Sequence, residues 1–364
     1  MAVRPLAEAD IPHVAALYSI YMRGRKGPPA PSLIALFRDL YFANPFTDPD
    51  FPSLVYDTPQ DGIVGFIGGN VRKMSICGRP IRVLFGGNLI VRPDYRAGLA
   101  APRLLNTFMA TNYDLAMTDS ANNISRRILQ RMGYDVVPAL NIHWRRPLRL
   151  TQYGIYGISV SANSSPWGKL ARAVQPLFGA VDAAAGRLAG NPFRQAQPRL
   201  HADELDLDTL LNCITEFRKG YSMWTEYTPQ SLRWLIQFME GQTFRGSLRK
   251  VVLKDDSGNP VGWYIYYARA RAVGEVVQIG GHPNFTKDIL DHLFWDAQEH
   301  GVIGLHGVVD SRHTPDFSDK GCFFTCRGGW TVAVTRHNEI MRLLERGDAF
   351  LSRLDGEWAL DPGE

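Results

Sequence analysis

Residues 89–101 read LIVRPDYRAGLAA, and this stretch decides the fold because it joins a strand to a helix through a tight turn of small residues. Its first three residues are apolar and predict the end of a strand. The apolar spacing from Leu104 to Phe108 predicts a helix that begins just after the turn. A helix N-terminus presents unpaired backbone N–H groups, and its dipole favours an anion. The stretch therefore predicts an anion-binding connection between a strand and a helix.

The segments on both sides alternate between strand and helix patterns. The predicted strands are 54–56, 63–67, 73–76, 81–91 and 115–117. The predicted helices are 11–18, 32–42, 104–109 and 124–132, and Gly133 ends the last of them. Strands and helices in this order predict an α/β fold with a mixed (α+β) sheet.

The pattern then occurs a second time along the chain. The matching segments are 63–67 (IVGFI) with 260–265 (PVGWYI), 116–120 (AMTDS) with 307–311 (GVVDS), and 131–136 (RMGYDV) with 327–332 (RGGWTV). They keep the same order, and internal repetition at this scale indicates two copies of one structural unit. We therefore predict two tandem domains.

The predicted domains are residues 1–150 and 199–364, and residues 151–198 are predicted to form a helical linker. The apolar residues of this linker share one helical face: Leu170, Val174, Leu177, Phe178 and Val181. That face either packs on a domain or forms a dimer or membrane-surface contact. The sequence leaves both interpretations open.

The composition excludes several classes of protein. The 364 residues are 45% hydrophobic and 21% charged, with a net charge of +4, which is typical of a globular protein. No apolar run is long enough to cross a membrane, and residues 1–5 do not resemble a signal peptide, so we expect a cytoplasmic protein. The sequence contains no dense stripe of basic residues, so we do not expect a nucleic-acid partner. The four scattered cysteines predict neither a disulfide framework nor a metal site.

Three segments carry a resemblance to a known superfamily. The segment 89–105, the segment 122–134 (NNISRRILQRMGY) and the opening 3–6 (VRPL) resemble the GNAT N-acyltransferases, which use acyl-CoA donors. The resemblance covers residues 1–147 and extends over 200–360 through the repeat. It implies a mixed sheet that is splayed between its fourth and fifth strands. It also implies acetyl-CoA or another acyl-CoA as the cofactor, bound in that splay.

The same resemblance assigns the cofactor-binding residues. Backbone groups at the end of the fourth strand would pair with the pantetheine of coenzyme A, and backbone N–H groups of the turn would hold its pyrophosphate. The residues concerned are Leu89, Ile90, Val91, Arg96, Ala97, Gly98, Leu99, Ala100 and Ala101. Asn122 and Asn123 either contact the cofactor or cap the following helix.

Acyl transfer to an amine needs a route for the amine proton and donors for the oxyanion, and three side chains are candidates. Asp119 follows a predicted strand and is either a base or amine anchor, or a cap for the helix after Ala121. Asn88 is either a donor to the thioester carbonyl or a polar strand residue. His143 is either a base or a histidine on a strand face.

Several positions depart from the family pattern. Leu99 occupies the position of the central glycine of the turn, and Leu129 the position where many members carry a proton-donating tyrosine. Residues 85–88 (FGGN) lack the glutamate base of many members. In the second copy, residues 280–286 (GGHPNFT) replace the turn and contain no arginine. We therefore expect the second copy to be degenerate.

The leading hypothesis is an acyl-CoA-dependent N-acyltransferase, in the first place an N-acetyltransferase. Its amine substrate would be an amino sugar, an amino acid or another small molecule, or a cell-surface precursor. The alternatives are a catalytically inactive tandem binding protein and a Fem-type aminoacyl transferase. The expected oligomeric state is a monomer or a homodimer.

Overall fold

The computed structural model describes residues 2–161, 195, 197–326 and 329–363. They belong to two compact units that are each discontinuous along the chain. Unit 1 is Met1–Pro138, Tyr221–Met239 and Gly328–Glu364. Unit 2 is Ala139–Gly220 and Glu240–Arg327.

Strands and helices alternate along much of the chain. The strands are β1 (Ala2–Pro5), β2 (Leu54–Thr58), β3 (Gly62–Ile76), β4 (Arg79–Val91), β5 (Leu115–Ala121), β6 (Asp135–Val136), β7 (His143–Pro147), β8 (His201–Glu204), β9 (Met223–Thr225), β10 (Ser247–Lys254), β11 (Pro260–Ala268), β12 (Val273–Gly281), β13 (Gly304–Val308), β14 (Phe323–Thr325), β15 (Trp330–Thr335) and β16 (Ala349–Phe350). The α-helices are α1 (Ile11–Tyr21), α2 (Pro31–Arg38), α3 (Ala100–Met109), α4 (Asn123–Arg131), α5 (Leu150–Ser161), α6 (Leu207–Phe217), α7 (Pro229–Glu240), α8 (Thr286–Glu299), α9 (Thr314–Asp319) and α10 (Asn338–Glu345). A π-helix, Asp39–Ala43, directly continues α2.

Unit 1 is built on one mixed sheet with the strand order β1-β2-β3-β4-β5-β15-β6, and β9 and β16 extend it beside β3. Its neighbours pair antiparallel, except that β4 with β5 and β9 with β16 are parallel. Helix α3 covers one face of this sheet. There, Phe108 lies against Gly69 and Gly86, because these strand positions have no side chain to hold the ring away.

Unit 2 has a sheet of the order β8-β10-β11-β12-β13-β7-β14, in which β12 and β13 pair in parallel. Read from β8, the order corresponds strand by strand to that of unit 1. The α/β fold class with mixed sheets, predicted from the sequence, is confirmed.

The two sheets exchange strands reciprocally. β15, from the C-terminal half, pairs with β5 in unit 1, and β7, from the N-terminal half, pairs with β13 in unit 2. The units are therefore discontinuous, whereas the sequence predicts contiguous domains 1–150 and 199–364. Local patterns predict a strand, but they do not identify its partner.

The prediction of a helical linker over 151–198 is only partly visible. Helix α5 begins this region, while the apolar face from Leu170 to Val181 lies outside the described residues. Within the described residues, every helix is too short or too polar to cross a bilayer.

Candidate active site

An opening separates the ends of β4 and β5. The two strands pair only from Val83 with Leu115 to Phe85 with Met117. Beyond these pairs, residues 86–91 of β4 and 118–121 of β5 make no backbone ladder with each other in the described structure. We call this region the β4–β5 opening. It lies where the sequence predicts the splay.

A β-bulge distorts β4 beside the opening. Gly87 pairs with Gly68 and Ile90 pairs with Phe66, so Asn88 and Leu89 together oppose one residue of β3. Asn88 has a φ of 52°, in the left-handed region, where asparagine is better tolerated than most residues. Its amide Nδ2 donates a hydrogen bond of 2.8 Å to the hydroxyl of Tyr41. The bulge thus fixes Asn88 at the edge of the opening.

The turn after β4 presents free backbone donors. Pro93–Tyr95 form a short 3₁₀ turn, and α3 begins at Ala100 without a side-chain cap. In the described part of the chain, the N–H groups of Ala97, Leu99, Ala100 and Ala101 have no acceptor. Unpaired N–H donors at a helix start favour an anion, so the turn is suited to a group such as a diphosphate.

Leu99 does not obstruct this turn. Its φ is −91° and its ψ is 7°, which any L-residue adopts, and its side chain is 61% exposed. A Cβ on Gly98 would meet only the carbonyl of Tyr95, at 3.5 Å. Leu99 therefore adopts an ordinary backbone conformation at the position of the family glycine.

The arginines of the turn differ in their availability. Arg92 forms ion pairs with Asp94 and Asp61. Arg96 is exposed, and its Nε donates to the carbonyl of Val91 at 2.9 Å. No ion pair of Arg96 occurs among the described residues, so its guanidinium is the cation best placed to meet a phosphate at the turn.

Asp119 of β5 holds the backbone of residues 357 and 358. Its carboxylate accepts hydrogen bonds of 3.1 Å from the backbone N–H groups of Glu357 and Trp358. It therefore caps the 3₁₀ turn Trp358–Leu360. The alternative role predicted for it, as a cap for the helix after Ala121, is wrong, because Asn122 caps α4 by accepting from the N–H groups of Ile124 and Ser125.

Glu357 places a second carboxylate at the opening. Its Oε1 accepts from the hydroxyl of Ser120 at 2.5 Å and from the hydroxyl of Thr118. Its Oε2 is buried and has no partner in the described structure. A Cβ on Gly87 would lie 2.6 Å from this oxygen, so the carboxyl group rests directly on β4 beside the bulge.

The two carboxyl groups perturb each other. Burial raises the pKa of Glu357 to about 8, the neighbouring charge of Asp119 adds to the rise, and the hydroxyl bonds oppose it. Burial also raises the pKa of Asp119 to about 6, against the bonds from the two backbone N–H groups. A carboxylate poised near neutral pH is suited to accept a proton during catalysis.

A buried arginine holds the segment that carries Glu357. Arg72 of β3 donates from Nε to the carbonyl of Asp355 at 2.8 Å and from Nη2 to that of Gly356 at 3.2 Å. Burial lowers the pKa of Arg72 to about 10, so it stays charged at neutral pH. Tyr227 adds a hydroxyl bond of 2.8 Å to the carboxylate of Asp355. These bonds fix residues 355–357 against the sheet.

The remaining predicted residues occupy other places. Asn123 accepts a hydrogen bond from the indole of Trp330, and Asn122 is the cap described above, so both side chains have local structural partners. His143 is a buried residue of β7 and belongs to unit 2, whereas Asn88 and Asp119 belong to unit 1.

The corresponding turn of unit 2 makes different contacts among the described residues. The ring of Trp263 lies against Gly280, and His282 accepts from the N–H of Asn284. Asp310, the counterpart of Asp119 in the repeat, caps its own 3₁₀ turn by accepting from the N–H of Arg312. The aspartate is thus a cap in both units.

Sequence reasoning missed Glu357 and Tyr41. Glu357 lies 238 positions from Asp119, and no local pattern links the two. Tyr41 lies in an ordinary apolar helical pattern. The only signal available was the pair of glycines at 86 and 87, because a strand without side chains leaves room for groups from elsewhere.

Neither a protein-family model nor a curated protein sequence matches the chain. Solved structures do match. A protein of unknown function from Enterococcus faecalis, described as a probable N-acyltransferase, is 10% identical with a TM-score of 0.59, over 91% of this chain and 71% of that one. A GCN5-related N-acetyltransferase from Anabaena variabilis is 10% identical with a TM-score of 0.59, over 93% and 73%.

N-myristoyltransferase from Saccharomyces cerevisiae, solved with myristoyl-CoA, is 9% identical with a TM-score of 0.53, over 91% of this chain and 77% of that one. At such identities the likeness concerns the fold. Together with the splayed sheet and the bulged β4, it shows that the chain has the fold of the GNAT superfamily.

Proposed function

We propose that the protein is an acyl-CoA-dependent N-acyltransferase whose reaction takes place at the β4–β5 opening of unit 1. The observation that carries the proposal is Glu357, a buried carboxylate with one unpartnered oxygen, placed on β4 beside the bulge. The free N–H groups at the start of α3 support it, because they supply a diphosphate site on the same strand–turn–helix connection.

The acyl-CoA donor would supply an activated acyl group as a thioester. The edge of β4 at Leu89–Val91, which does not pair with β5, would align its pantetheine. The N–H groups from Ala97 to Ala101, with Arg96, would hold its diphosphate. Asn88 has a second amide hydrogen besides the one that it gives to Tyr41, and this hydrogen is available to the thioester carbonyl. Each of these residues binds or orients the donor.

Glu357 would act as the base for the amine. Its Oε2 takes the proton that the nitrogen must lose as the new amide bond forms. Asp119 is a positioning residue here, because it holds the backbone of Glu357 and raises the pKa of its carboxyl group. His143 has no role in this proposal.

The proposal requires of the acceptor only that it carries an amine. An amino sugar, an amino acid and a cell-surface precursor all provide one, and acetyl-CoA is the first donor to test. We also propose that the second unit is a degenerate copy of the first, as the matching strand orders suggest.

The proposal is tested in two steps. Calorimetric titration with acetyl-CoA and longer acyl-CoAs should show saturable binding to the full chain, and thiol release with a panel of amines should show turnover. Glu357→Gln should lower kcat by about 100-fold or more with little change in donor affinity. Glu339→Gln, at an exposed glutamate paired with Arg79, is the matched control and should retain full activity.

Two results would redirect the proposal. Binding without turnover for every amine would favour a retired acyltransferase that serves as a binding protein. Retention of tRNA by the purified protein, without acyl-CoA binding, would favour a Fem-type aminoacyl transferase. Failure to bind any of these donors would exclude acyl transfer altogether.

A further inference from the structure

A cavity of about 700 Å³ lies in unit 2 between the strands β8 and β10 and the helix α8. Val251 of β10 pairs with Glu204 of β8 on one side and with Tyr264 of β11 on the other. Paired residues place their side chains on the same face of a sheet. Val251 packs in one core with Leu290 of α8, so this row of side chains lies on the face that α8 covers.

His292 of α8 presents a hydrogen-bond donor to this cavity. The residue lines the cavity and is only 4% exposed, and its Nδ1 lies 2.8 Å from the hydroxyl of Tyr264. Burial lowers the pKa of His292, against the charge of Asp296, so the imidazole is neutral at neutral pH. The buried hydroxyl of Tyr264 has no other partner among the described residues, so it donates to Nδ1. The ring proton is then on Nε2, which no described residue binds.

Arg249 of β10 brings a second set of donors. Its Nη2 and Nε donate to the carboxylate of Asp296 at 2.7 and 3.4 Å, and the hydroxyl of Tyr266 donates to the same carboxylate at 2.6 Å. The charge of Asp296 is therefore compensated within the protein. Nη1 of Arg249 has no partner in the part of the chain that the structure describes, and the side chain is 34% exposed at the cavity. Its N–H groups, with that of His292, suit a carboxylate.

Glu204 supplies the opposite charge. It is exposed, it lines the cavity, and it forms no ion pair with any described residue. The aspartates of the cavity wall, Asp203 and Asp296, each have a lysine or arginine partner. Arg249 is two positions from Val251, so Glu204 and Arg249 are diagonal neighbours on one face, about 7–8 Å apart. A ligand that carries an ammonium and a carboxylate close together would satisfy both residues.

Apolar side chains form another part of the wall. The ring of Trp295 lies edge-on to His292, with 5.6 Å between the ring centroids, and Pro198 and Leu200 also line the cavity. A cavity of several hundred Å³ with apolar walls and a few polar groups is typical of small-molecule sites. It leaves room for a large side chain beside the charged groups.

We propose that this cavity binds a free α-amino acid with a large apolar side chain. The carboxylate of the ligand would accept from Nε2 of His292 and Nη1 of Arg249, and its ammonium group would donate to Glu204. Its side chain would pack against Trp295. The site is built from unit 2 alone, and the inference does not depend on acyl transfer at the β4–β5 opening of unit 1.

The experiment uses L-phenylalanine and two blocked derivatives as probes of the full-length protein. Calorimetric titration with L-phenylalanine should show saturable binding. L-phenylalaninamide lacks the carboxylate and N-acetyl-L-phenylalanine lacks the ammonium group, so each should bind at least about tenfold more weakly.

Variants then locate the bound amino acid. In Glu204→Gln, the affinity for L-phenylalanine should fall about tenfold or more, because the partner of the ammonium group loses its charge. The affinity of this variant for N-acetyl-L-phenylalanine should equal that of the wild type. Glu216→Gln, at an exposed glutamate of unit 2 paired with Lys219, is the matched control and should keep the wild-type affinity for both. L-phenylalanine should also change the tryptophan fluorescence of the wild type, and Trp295→Phe should remove that change.

Glu357→Gln separates this site from the amine site of the proposed function, and it should keep the wild-type affinity for L-phenylalanine. Loss of affinity in Glu357→Gln but not in Glu204→Gln would place the amino acid at the β4–β5 opening and overturn the inference. Absence of L-phenylalanine binding, or equal affinity for the two blocked derivatives, would overturn it as well. Absence of acyl-CoA binding would overturn the proposed function and leave this inference standing.

Discussion

Asp119 and Glu357 show how one residue controls another across the sheet. The carboxylate of Asp119 accepts hydrogen bonds from the backbone N–H groups of Glu357 and Trp358. These bonds hold the second carboxyl group at the β4–β5 opening. The two acids then share a buried site, where a second negative charge is costly. The pair therefore prefers to hold at least one proton near neutral pH, which a single exposed carboxylate would not do.

Stability should depend on pH through Glu357. Its pKa is about 8 in the folded protein and 4.5 as the ordinary value, so between these values the folded state binds more protons than the unfolded state. The free energy of unfolding should therefore fall as the pH rises from about 4.5 to 8. In Glu357→Gln, this decline should shrink by about 1–3 kcal/mol. Urea unfolding at pH 5 and pH 8 measures the decline in the free energy of unfolding. An equal decline in the wild type and in Glu357→Gln would contradict the prediction.

Asp119→Asn should change the pH dependence of catalysis. Removal of the neighbouring charge lowers the pKa of Glu357, and a base is active only when ionised. The rise of kcat with pH, centred near 8 in the wild type, should move to lower pH by about one unit. A pH–rate profile at saturating acetyl-CoA tests the shift. An unmoved midpoint would show that the carboxyl groups are not coupled during turnover.

At the residue scale, the sequence predicts Asp119 and Asn88 as candidates but misses their partners. Asp119 follows a strand in a recognisable pattern, so it can be selected locally. Glu357 and Tyr41 meet near β4 only because distant elements fold onto one sheet. Their burial and their contacts with distant residues determine their acid–base properties. Neither can be predicted from the residues next to them in the sequence.

Strand β4 is the element in which packing and chemistry meet. Its glycines at 86 and 87 face opposite sides of the sheet, one under Phe108 of α3 and the other under Glu357. The element thus combines a close-packed face with a face that accommodates the candidate base.

Gly87→Ala and Gly98→Ala should differ sharply. A methyl group at 87 would lie 2.6 Å from Glu357 Oε2, whereas one at 98 would make an ordinary contact of 3.5 Å with the carbonyl of Tyr95. We expect Gly87→Ala to lose about 1–3 kcal/mol of stability and most of its turnover. Gly98→Ala should stay within about 0.5 kcal/mol and keep its acetyl-CoA affinity. Chemical denaturation and calorimetry give both quantities, and similar losses in the two variants would contradict the packing argument.

At the element scale, the periodic segments predict most of the unit 1 elements well. One difference is instructive. The sequence predicts separate strands at 63–67 and 73–76, whereas β3 is continuous from Gly62 to Ile76. Gly68 and Gly69 interrupt the apolar pattern between these two segments, because Tyr41 and Phe108 pack against them. In a sequence without known contacts, such glycines are interpreted as a turn.

For the whole molecule, the reciprocal exchange of strands is the dominant property. β5 pairs with β15 and β13 pairs with β7, so each unit needs residues from both halves of the chain. The repeat predicts two similar sheets, and the matching strand orders agree with it. The exchange itself is invisible in the sequence, because a contiguous arrangement would show the same pattern of strands.

A fragment of residues 1–150 should therefore fail to fold cooperatively. It lacks β15, the antiparallel partner of β5, and it also lacks Glu357 and the segment that Arg72 holds. Urea denaturation followed by circular dichroism should give a broad, shallow transition for the fragment and a steep one for the full chain. A steep transition in the isolated fragment would show that the exchange is dispensable.

The pairing of β5 with β15 also affects how the protein is made. β15 is synthesised roughly 200 residues after β5, which at 5–20 residues per second is a delay of about 10–40 s. During that interval, the edge of β5 is exposed on the nascent chain, and exposed strand edges promote aggregation. Holding chaperones should therefore matter more for this protein than for one with contiguous domains.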